Sequence, residues 1–248
     1  MNRIDLVAEN INSTLTPTNY DNLHDMISTR DRLERVYDVP YATFAPIHYE
    51  EGYAYPLLVW LHGSASTERE LRQAMPHISM RNFVAVAPRG VCESEFTSGR
   101  FGWRQTESSI DDAQNRINDC IALAQDRFNI HPDRIFLAGH GSGATMALRT
   151  AWNDPGKFAG VVAINGPLPS RLSPMRRVNE LRRVPCLLTT SRDSRAYPAD
   201  QVCQDLRLLH SAGCLVSLRQ YPGGDGLTNS MLADINRWVM ERVCGNNA

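Results

Sequence analysis

Residues 134–148 read RIFLAGHGSGATMAL, and this stretch decides the fold that we predict for the chain. Its first part, Ile135–Ala138, is apolar and predicts a buried β-strand. The residues from Gly143 to Ala151 are mostly small or apolar, which is typical of a helix packed closely against a sheet. A short turn rich in glycine lies between them. The stretch therefore predicts a strand, a sharp turn and a helix, in that order.

A strand, a turn and a helix of this kind can form a nucleophile elbow. In the motif G-x-S-x-G the serine occupies a strained turn, with small residues two positions before and two positions after it. The only window with glycine on both flanks is Gly139–Gly143, and its centre is Gly141, which has no side chain to attack a substrate. A window centred on Ser142 places His140 and Ala144 on the flanks, where an imidazole would crowd the turn. We therefore predict Gly141 at the nucleophile position, with Ser142 as the alternative nucleophile.

Further runs along the chain carry a resemblance to a known family. They are Pro56–Gly63, Val86–Gly90, Phe101–Arg104 and Tyr221–Leu227, in this order around the glycine-rich turn. Together they resemble the phospholipase/carboxylesterase branch of the α/β-hydrolases, which includes acyl-protein thioesterases and feruloyl-type esterases. The resemblance implies an α/β-hydrolase fold, a mainly parallel sheet with helices on both faces. It also lays the serine of the family's G-F-S-x-G elbow onto Gly141 without a gap.

The same resemblance implies that the histidine of the catalytic triad is missing. The family motif Y-P-G-x-H supplies that histidine, and this chain has Asp225 there. A carboxylate with an ordinary pKa near 4 is a poor base for a serine, whereas imidazole suits the task. Counting back from Pro198 places the family's acid at Ser194, with Asp193 as the candidate if the loop bulges. We expect Asp193 and Asp225 to face each other, which would raise the pKa of at least one of them.

Backbone donors can survive the loss of these side chains. The resemblance implies an oxyanion hole formed by the amides of Ser142 and of Ser64 or its neighbour. It gives His62 a structural role in the loop after its strand, and we expect Trp103 at the same site. The predicted binding residues are thus Ser64, Ser142, His62 and Trp103. Such a pocket can hold an anion or the carbonyl oxygen of a small acyl ligand without cleaving it.

Three hypotheses follow for function. The first is a pseudoenzyme that binds a small ligand or a protein, because glycine adopts a strained turn almost freely whereas another residue pays about 1–3 kcal/mol. The alternative is a carboxylic-ester hydrolase that acts through Ser142 or an unrecognised group. The third is an engineered inactive form of a working esterase, although the loss of two triad positions is unlike a single inactivating mutation.

Composition fits one domain with a sizeable core. The 248 residues are 42% hydrophobic and 21% charged, and 26 basic residues nearly balance 27 acidic ones, so nothing indicates a nucleic-acid partner or an anionic membrane. The chain shows no signal peptide at its start and no apolar run of about 18 residues, which predicts a cytoplasmic protein without a membrane span. We predict a polar N-terminal extension over residues 1–34 and one domain over residues 35–248. No cofactor and no metal are expected, and a protein partner or a homo-oligomer is left open.

Other patterns give smaller expectations. Six cysteines without a C-x-x-C pair are expected to be free thiols, and only Cys92, in a loop after a strand, is considered for chemistry. The segment Gly166–Arg183 carries a basic cluster, interpreted as a solvated face or as a site for an acidic ligand. Its members are Arg171, Arg176, Arg177, Arg182 and Arg183. Thr67–Glu70 predicts a capping box, and apolar stripes predict two buried helices around Ile117 and Ile235.

Overall fold

The predicted sheet is present and is mainly parallel. The computed structural model describes residues 39–92, 99–170 and 178–245. Its strands are β1 (Tyr41–Phe44), β2 (Tyr55–Leu61), β3 (Val84–Pro88), β4 (Val91–Cys92), β5 (Phe101–Gly102), β6 (Ile130–His140), β7 (Gly160–Ile164), β8 (Cys186–Ser191) and β9 (Val216–Tyr221). Seven of them form one sheet in the order β1-β3-β2-β6-β7-β8-β9, in which only the β1–β3 pair is antiparallel. The short antiparallel pair β4–β5, which the sequence did not predict, forms a separate two-stranded sheet.

Helices cover both faces of this sheet. They are α1 (Glu70–Ile78), α2 (Glu107–Arg127), α3 (Ser142–Asn153), α4 (Val178–Leu181), α5 (Ala199–Ser211) and α6 (Asn229–Gly245). Residues of α2, α3 and α5 join one buried apolar cluster, and residues of α1 and α6 join the cluster on the opposite face. The predicted fold class, an α/β-hydrolase fold with helices on both faces of a mainly parallel sheet, is therefore confirmed.

Burial on both faces holds the sheet rigid. Every residue of β2, β3, β7 and β8 is buried, as expected for parallel strands covered on each side. Each fully buried Val, Leu or Ile contributes about 1.5–3 kcal/mol relative to an exposed one. The apolar stripes predicted for α2 and α6 are confirmed, since Ile117 and Ile235 are fully buried. This core fixes the carboxyl ends of the strands, where the loops that carry the candidate residues begin.

One local prediction is wrong: Thr67–Glu70 does not form a capping box. Helix α1 begins at Glu70, and its N-cap residue, Arg69, makes no side-chain capping hydrogen bond. The Glu70 carboxylate instead accepts a hydrogen bond from Trp60 Nε1 at 3.0 Å and from the Gly63 amide at 3.2 Å. A buried indole N–H needs an acceptor, and this tertiary demand outweighs the local pattern.

The cysteines are free thiols, as predicted. Cys120 and Cys186 are buried, and burial raises the pKa of both thiols well above the ordinary range. Cys92 is exposed in β4. Arg171, Arg176 and Arg177 of the basic segment lie outside the described residues, as does the 1–34 extension. Within the described ranges no helix is long and apolar enough to cross a bilayer.

Candidate functional site

The turn between β6 and α3 has a sharply bent backbone. Gly141 adopts φ 54° and ψ −117°, directly before the first residue of α3. Its amide donates to Ile164 O at the end of β7, which ties the turn to the neighbouring strand at 2.8 Å. A positive φ is unusual for residues with a side chain, so glycine relieves a strain that any other residue would carry here.

The space around the turn identifies its centre. A Cβ built on Gly139 would lie 2.4 Å from the Gly143 carbonyl carbon, and one built on Gly143 would lie 2.2 Å from Leu61 O. Real Cβ atoms do not approach backbone so closely, so both flanking positions need glycine. A Cβ on Gly141 meets nothing within 4 Å. The central position therefore opens into free space, where a side chain could project, while its two flanks are closed by backbone contacts.

No base among the described residues hydrogen-bonds to Ser142, the alternative nucleophile. Its Oγ is buried and makes no hydrogen bond within the described parts of the chain. His140 Nε2 lies 2.7 Å from the Asp225 carbonyl oxygen and must donate its proton to it, because a carbonyl only accepts. His140 Nδ1 has no hydrogen-bond partner among the described residues, and the Glu70 carboxylate is 4.0 Å away. The His140 imidazole thus makes its hydrogen bond to Asp225 and not to the Ser142 hydroxyl.

The predicted carboxylate pair is not formed. Asp225 accepts a short hydrogen bond from Ser194 Oγ and longer ones, at 3.2 Å, from the backbone amides of Arg195 and Ala196. The hydrogen bond from Ser194 is the main cause that lowers the pKa of Asp225, and the two amides add to it. Asp193 is exposed. The expectation that one pKa of the pair is raised is therefore wrong for Asp225, because the loop supplies donors where a second carboxylate was expected.

His62 holds the loop that follows β2. Its Nδ1 donates to Gly63 O at 2.8 Å, and its Nε2 accepts from the Gly90 amide at 2.9 Å. An imidazole nitrogen that accepts from an amide carries no proton, so the ring is neutral, and burial correspondingly lowers the pKa of His62. Trp103 Nε1 donates to His62 O at 3.0 Å. The side chains of His62 and Trp103 are both buried, and their ring nitrogens make hydrogen bonds to the backbone.

A pocket of about 430 Å³ lies above the turn. Of the four predicted binding residues, Ser64, Ser142 and Trp103 line it, whereas His62 is not part of its wall. The other lining residues are Gln105, Gly141, Thr145, Asn165, Pro167, Leu168, Ser170, Ala196 and Gln201. Because Ser142 is the first residue of α3, its amide has no intrahelical acceptor and lies at the positive end of the helix dipole. The pocket wall thus contains both elbow positions and one of the expected backbone donors.

The sequence did not predict two polar residues at the pocket, namely Gln105 in its wall and Arg149, which donates a hydrogen bond to Gln105. Arg149 is 9% exposed, and its Nε donates to Gln105 Oε1 at 2.6 Å. Its Nη2 donates to Ser170 O at 2.7 Å. Burial lowers the pKa of Arg149. The only sequence signal is an arginine within an otherwise small and apolar helix, at a position that the helical pattern turns towards the core.

An ion pair between buried Glu68 and half-buried Arg89 holds the loop after β2. Glu68 has no exposed surface, and Arg89 contacts it through two hydrogen bonds, at 2.6 and 2.7 Å. Burial opposes the ionisation of Glu68, but the hydrogen bonds and charge of Arg89 outweigh it and lower the pKa of Glu68. Arg116 fixes the same segment by donating to the carbonyls of Arg89 and Gly90. The loop that carries Ser64 is therefore anchored by charge as well as by His62.

Comparisons with known proteins agree with this fold and place the chain in a family. A family model described as Phospholipase/Carboxylesterase matches residues 45–240. Carboxylesterase SOBER1 of Arabidopsis thaliana is 24% identical over 146 residues, which cover 57% of this chain and 63% of that protein. Putative esterase NocK of Nocardia uniformis subsp. tsuyamanensis is 26% identical over 155 residues, 58% of this chain and 41% of that protein. The chain therefore matches less than two thirds of the length of either relative.

Solved structures show the same fold at low sequence identity. The carboxylesterase from Mesorhizobium loti superposes with a TM-score of 0.66 at 20% identity, over 82% of this chain and 94% of that one. The family model covers well over half of the residues, including the elbow turn and the segment around Asp225. The chain accordingly belongs to the phospholipase/carboxylesterase family of α/β-hydrolase-fold proteins.

Proposed function

We propose that this protein is a non-catalytic member of its family, a pseudoenzyme that binds a small ligand in the pocket above the elbow. The observation that carries the proposal is Gly141 itself. It occupies the bent centre of the elbow, between two glycines that backbone contacts require, and it offers no nucleophile. A covalent acyl intermediate needs an activated side chain at that point.

The base position supports the same conclusion. Asp225 stands where the family motif has its histidine, and three donors of residues 194–196 hold its carboxylate. Those hydrogen bonds stabilise the ionised form, which is a weak base. For a serine introduced at the elbow, Asp225 would thus be unable to take the proton and return it to a leaving group.

The pocket keeps the features that bind a ligand. The amide of Ser142 lies at the start of α3, and Ser64 lies on the opposite loop. Backbone N–H groups at a helix start favour a carbonyl oxygen or an anion. We therefore propose a small acyl or anionic ligand. A protein partner, a homo-oligomer and a cytoplasmic location are predictions from the sequence alone.

Two assays test the absence of catalysis. We expect the purified protein to hydrolyse short p-nitrophenyl esters no faster than a protein blank, and we expect no labelling by a fluorophosphonate probe. The second candidate function, ester hydrolysis through Ser142, is favoured by one observation, namely that its hydroxyl lies in the pocket wall without a partner among the described residues. Labelling of the wild-type protein that disappears in Ser142→Ala would establish that candidate and refute the proposed one.

A further inference from the structure

The pocket wall carries hydrogen-bond donors that nothing in the described structure satisfies. Gln105 Nε2 and Ser142 Oγ are both buried and without a partner among the described residues. Both residues line the same pocket. Buried donors without partners cost stability, and they are found where a ligand or an ordered water completes them.

Arg149 determines which end of the Gln105 amide faces the pocket. An arginine side chain carries only donors, so Gln105 must present its carbonyl oxygen to Arg149 Nε, 2.6 Å away. The NH₂ group of Gln105, with two donors, is thereby directed away from Arg149. The positive charge behind the amide also polarises it and strengthens its N–H groups as donors. At Gln105 the wall therefore presents donors rather than an acceptor.

The charge of Arg149 is not balanced by a carboxylate in the described structure. Its hydrogen-bond partners are an amide oxygen and the backbone oxygen of Ser170. Burial is the only cause that shifts its pKa, and it lowers it. Asp205, on α5, is already occupied, because its carboxylate accepts from the Leu168 amide and from the Tyr197 hydroxyl. A buried guanidinium without an anion favours the arrival of one.

Part of the remaining lining is apolar and matches an apolar body attached to such an anion. None of the described lining residues is an aspartate or a glutamate. Trp103, Pro167, Leu168 and Ala196 supply apolar surface in the same pocket. A ligand with an anionic group and an apolar group would therefore contact complementary residues of the pocket with both.

We infer that this pocket selects ligands that carry a carboxylate, which the NH₂ group of Gln105 and the start of α3 at Ser142 hold, with Arg149 as the positioning residue behind Gln105. The inference rests on the proposed function and names its ligand class. A neutral ester or amide of the same shape would lack the charge that these donors and Arg149 favour. The pocket thus prefers the acid to its neutral derivatives.

The test compares two probes of nearly equal shape, 3-phenylpropionate and 3-phenylpropionamide, by calorimetry and ligand-observed NMR on the full chain. We expect wild-type protein to bind the carboxylate at least about tenfold more tightly than the amide, since a charge-assisted hydrogen bond is worth that factor. Gln105→Glu should abolish this preference, because a second carboxylate replaces the donors. It should not lower the melting temperature, because the introduced carboxylate can pair with Arg149.

Gln73→Glu is the matched control, since it makes the same chemical change on the exposed surface of α1. It should bind both probes as wild type does. Equal binding of the two probes, no binding of the carboxylate, or an undiminished preference in Gln105→Glu would each overturn the inference. Ester hydrolysis by the wild-type protein would instead refute the proposed function, so the two failures are distinguishable.

Discussion

Alanine substitutions at the three elbow glycines should separate backbone strain from steric exclusion. Gly141 has a positive φ but free space around its Cβ position, so Gly141→Ala meets only the conformational cost of the turn. That cost is about 1–3 kcal/mol, less about 0.4–1 kcal/mol gained because alanine restricts the unfolded chain. A net loss of about 1–2 kcal/mol should lower the melting temperature by about 2–8 °C for a domain of this size.

Gly143→Ala is opposed by steric exclusion and not by a positive φ. Its Cβ would lie 2.2 Å from Leu61 O and 2.5 Å from His62 O, and both atoms belong to backbone that the central sheet holds in place. An ordinary contact is longer by more than about 1 Å, so β2 and α3 must move apart. We expect a loss above the roughly 1–3 kcal/mol typical of overpacking, or a failure to fold. Gly139→Ala should behave alike, because its Cβ would lie 2.4 Å from Gly143.

The measurement is thermal and urea unfolding of each variant, with soluble yield recorded for any variant that does not fold. Gly156→Ala is the control, because a Cβ there meets nothing within 4 Å and its φ is not positive. It should stay within about 0.5 kcal/mol of wild type. A Gly143→Ala protein as stable as Gly141→Ala would refute the assignment of Gly141 as the elbow centre.

Three further predictions concern the triad positions and the buried ion pair. Gly141→Ser should restore little ester hydrolysis, because a serine without a base is a poor nucleophile, and esterase-like turnover by this single variant would show that a base has been overlooked. Asp225→Asn should lower the melting temperature at pH 7 by about 2–4 °C, from about 1 kcal/mol of charged hydrogen bonding in a partly exposed site. The folded-state pKa of Asp225 is lowered, so this stabilisation exists above its ordinary value of 3.8 and is lost as the pH falls through the folded value. A melting temperature unchanged at pH 7, or a difference that persists at pH 2.5, would contradict this. Arg89→Met should cost about 3–5 kcal/mol in urea unfolding, because it removes two hydrogen bonds from the buried Glu68 carboxylate and leaves it with the exposed Arg69 guanidinium 4.0 Å away. Adding Glu68→Gln should recover much of the loss, whereas additive losses would mean that the pair does not act as a unit.

Sequence patterns predicted the parts of this fold that depend on local periodicity. The apolar run Ile135–Ala138 predicted a strand that is present as the buried part of β6, because a strand buried on both faces is apolar at nearly every position. The glycine spacing predicted the sharp turn between β6 and α3, because the close approaches at Gly139 and Gly143 are consequences of a strand, a turn and a helix meeting within five residues. Such features depend on residues that are close in sequence and can be predicted without the rest of the chain.

Predictions about side-chain partners were less successful, because partners are chosen in space. Glu70 fits a capping box by its spacing from Thr67, yet it accepts from Trp60 Nε1. Gln105 and Arg149 are 44 positions apart and carry no motif that would pair them. The donors that hold Asp225 come from residues 194–196, a loop whose conformation depends on how β8 and β9 pair. Nothing local in the sequence specifies these contacts.

The hydrogen bond between Ser194 and Asp225 gives a physical reason why restoring catalysis takes more than one substitution. These residues stand at the positions where the resemblance places the acid and the histidine, and in this chain a hydroxyl donates to a carboxylate across that gap. Ser194 Oγ also accepts from the Tyr197 amide, so the pair fixes the turn that leads into α5. Asp225→His would remove the acceptor of three donors. Asp225 therefore stabilises the loop around Ser194, which would have to support a histidine at position 225. A substitution of Asp225 that is meant to restore catalysis would first destabilise this loop.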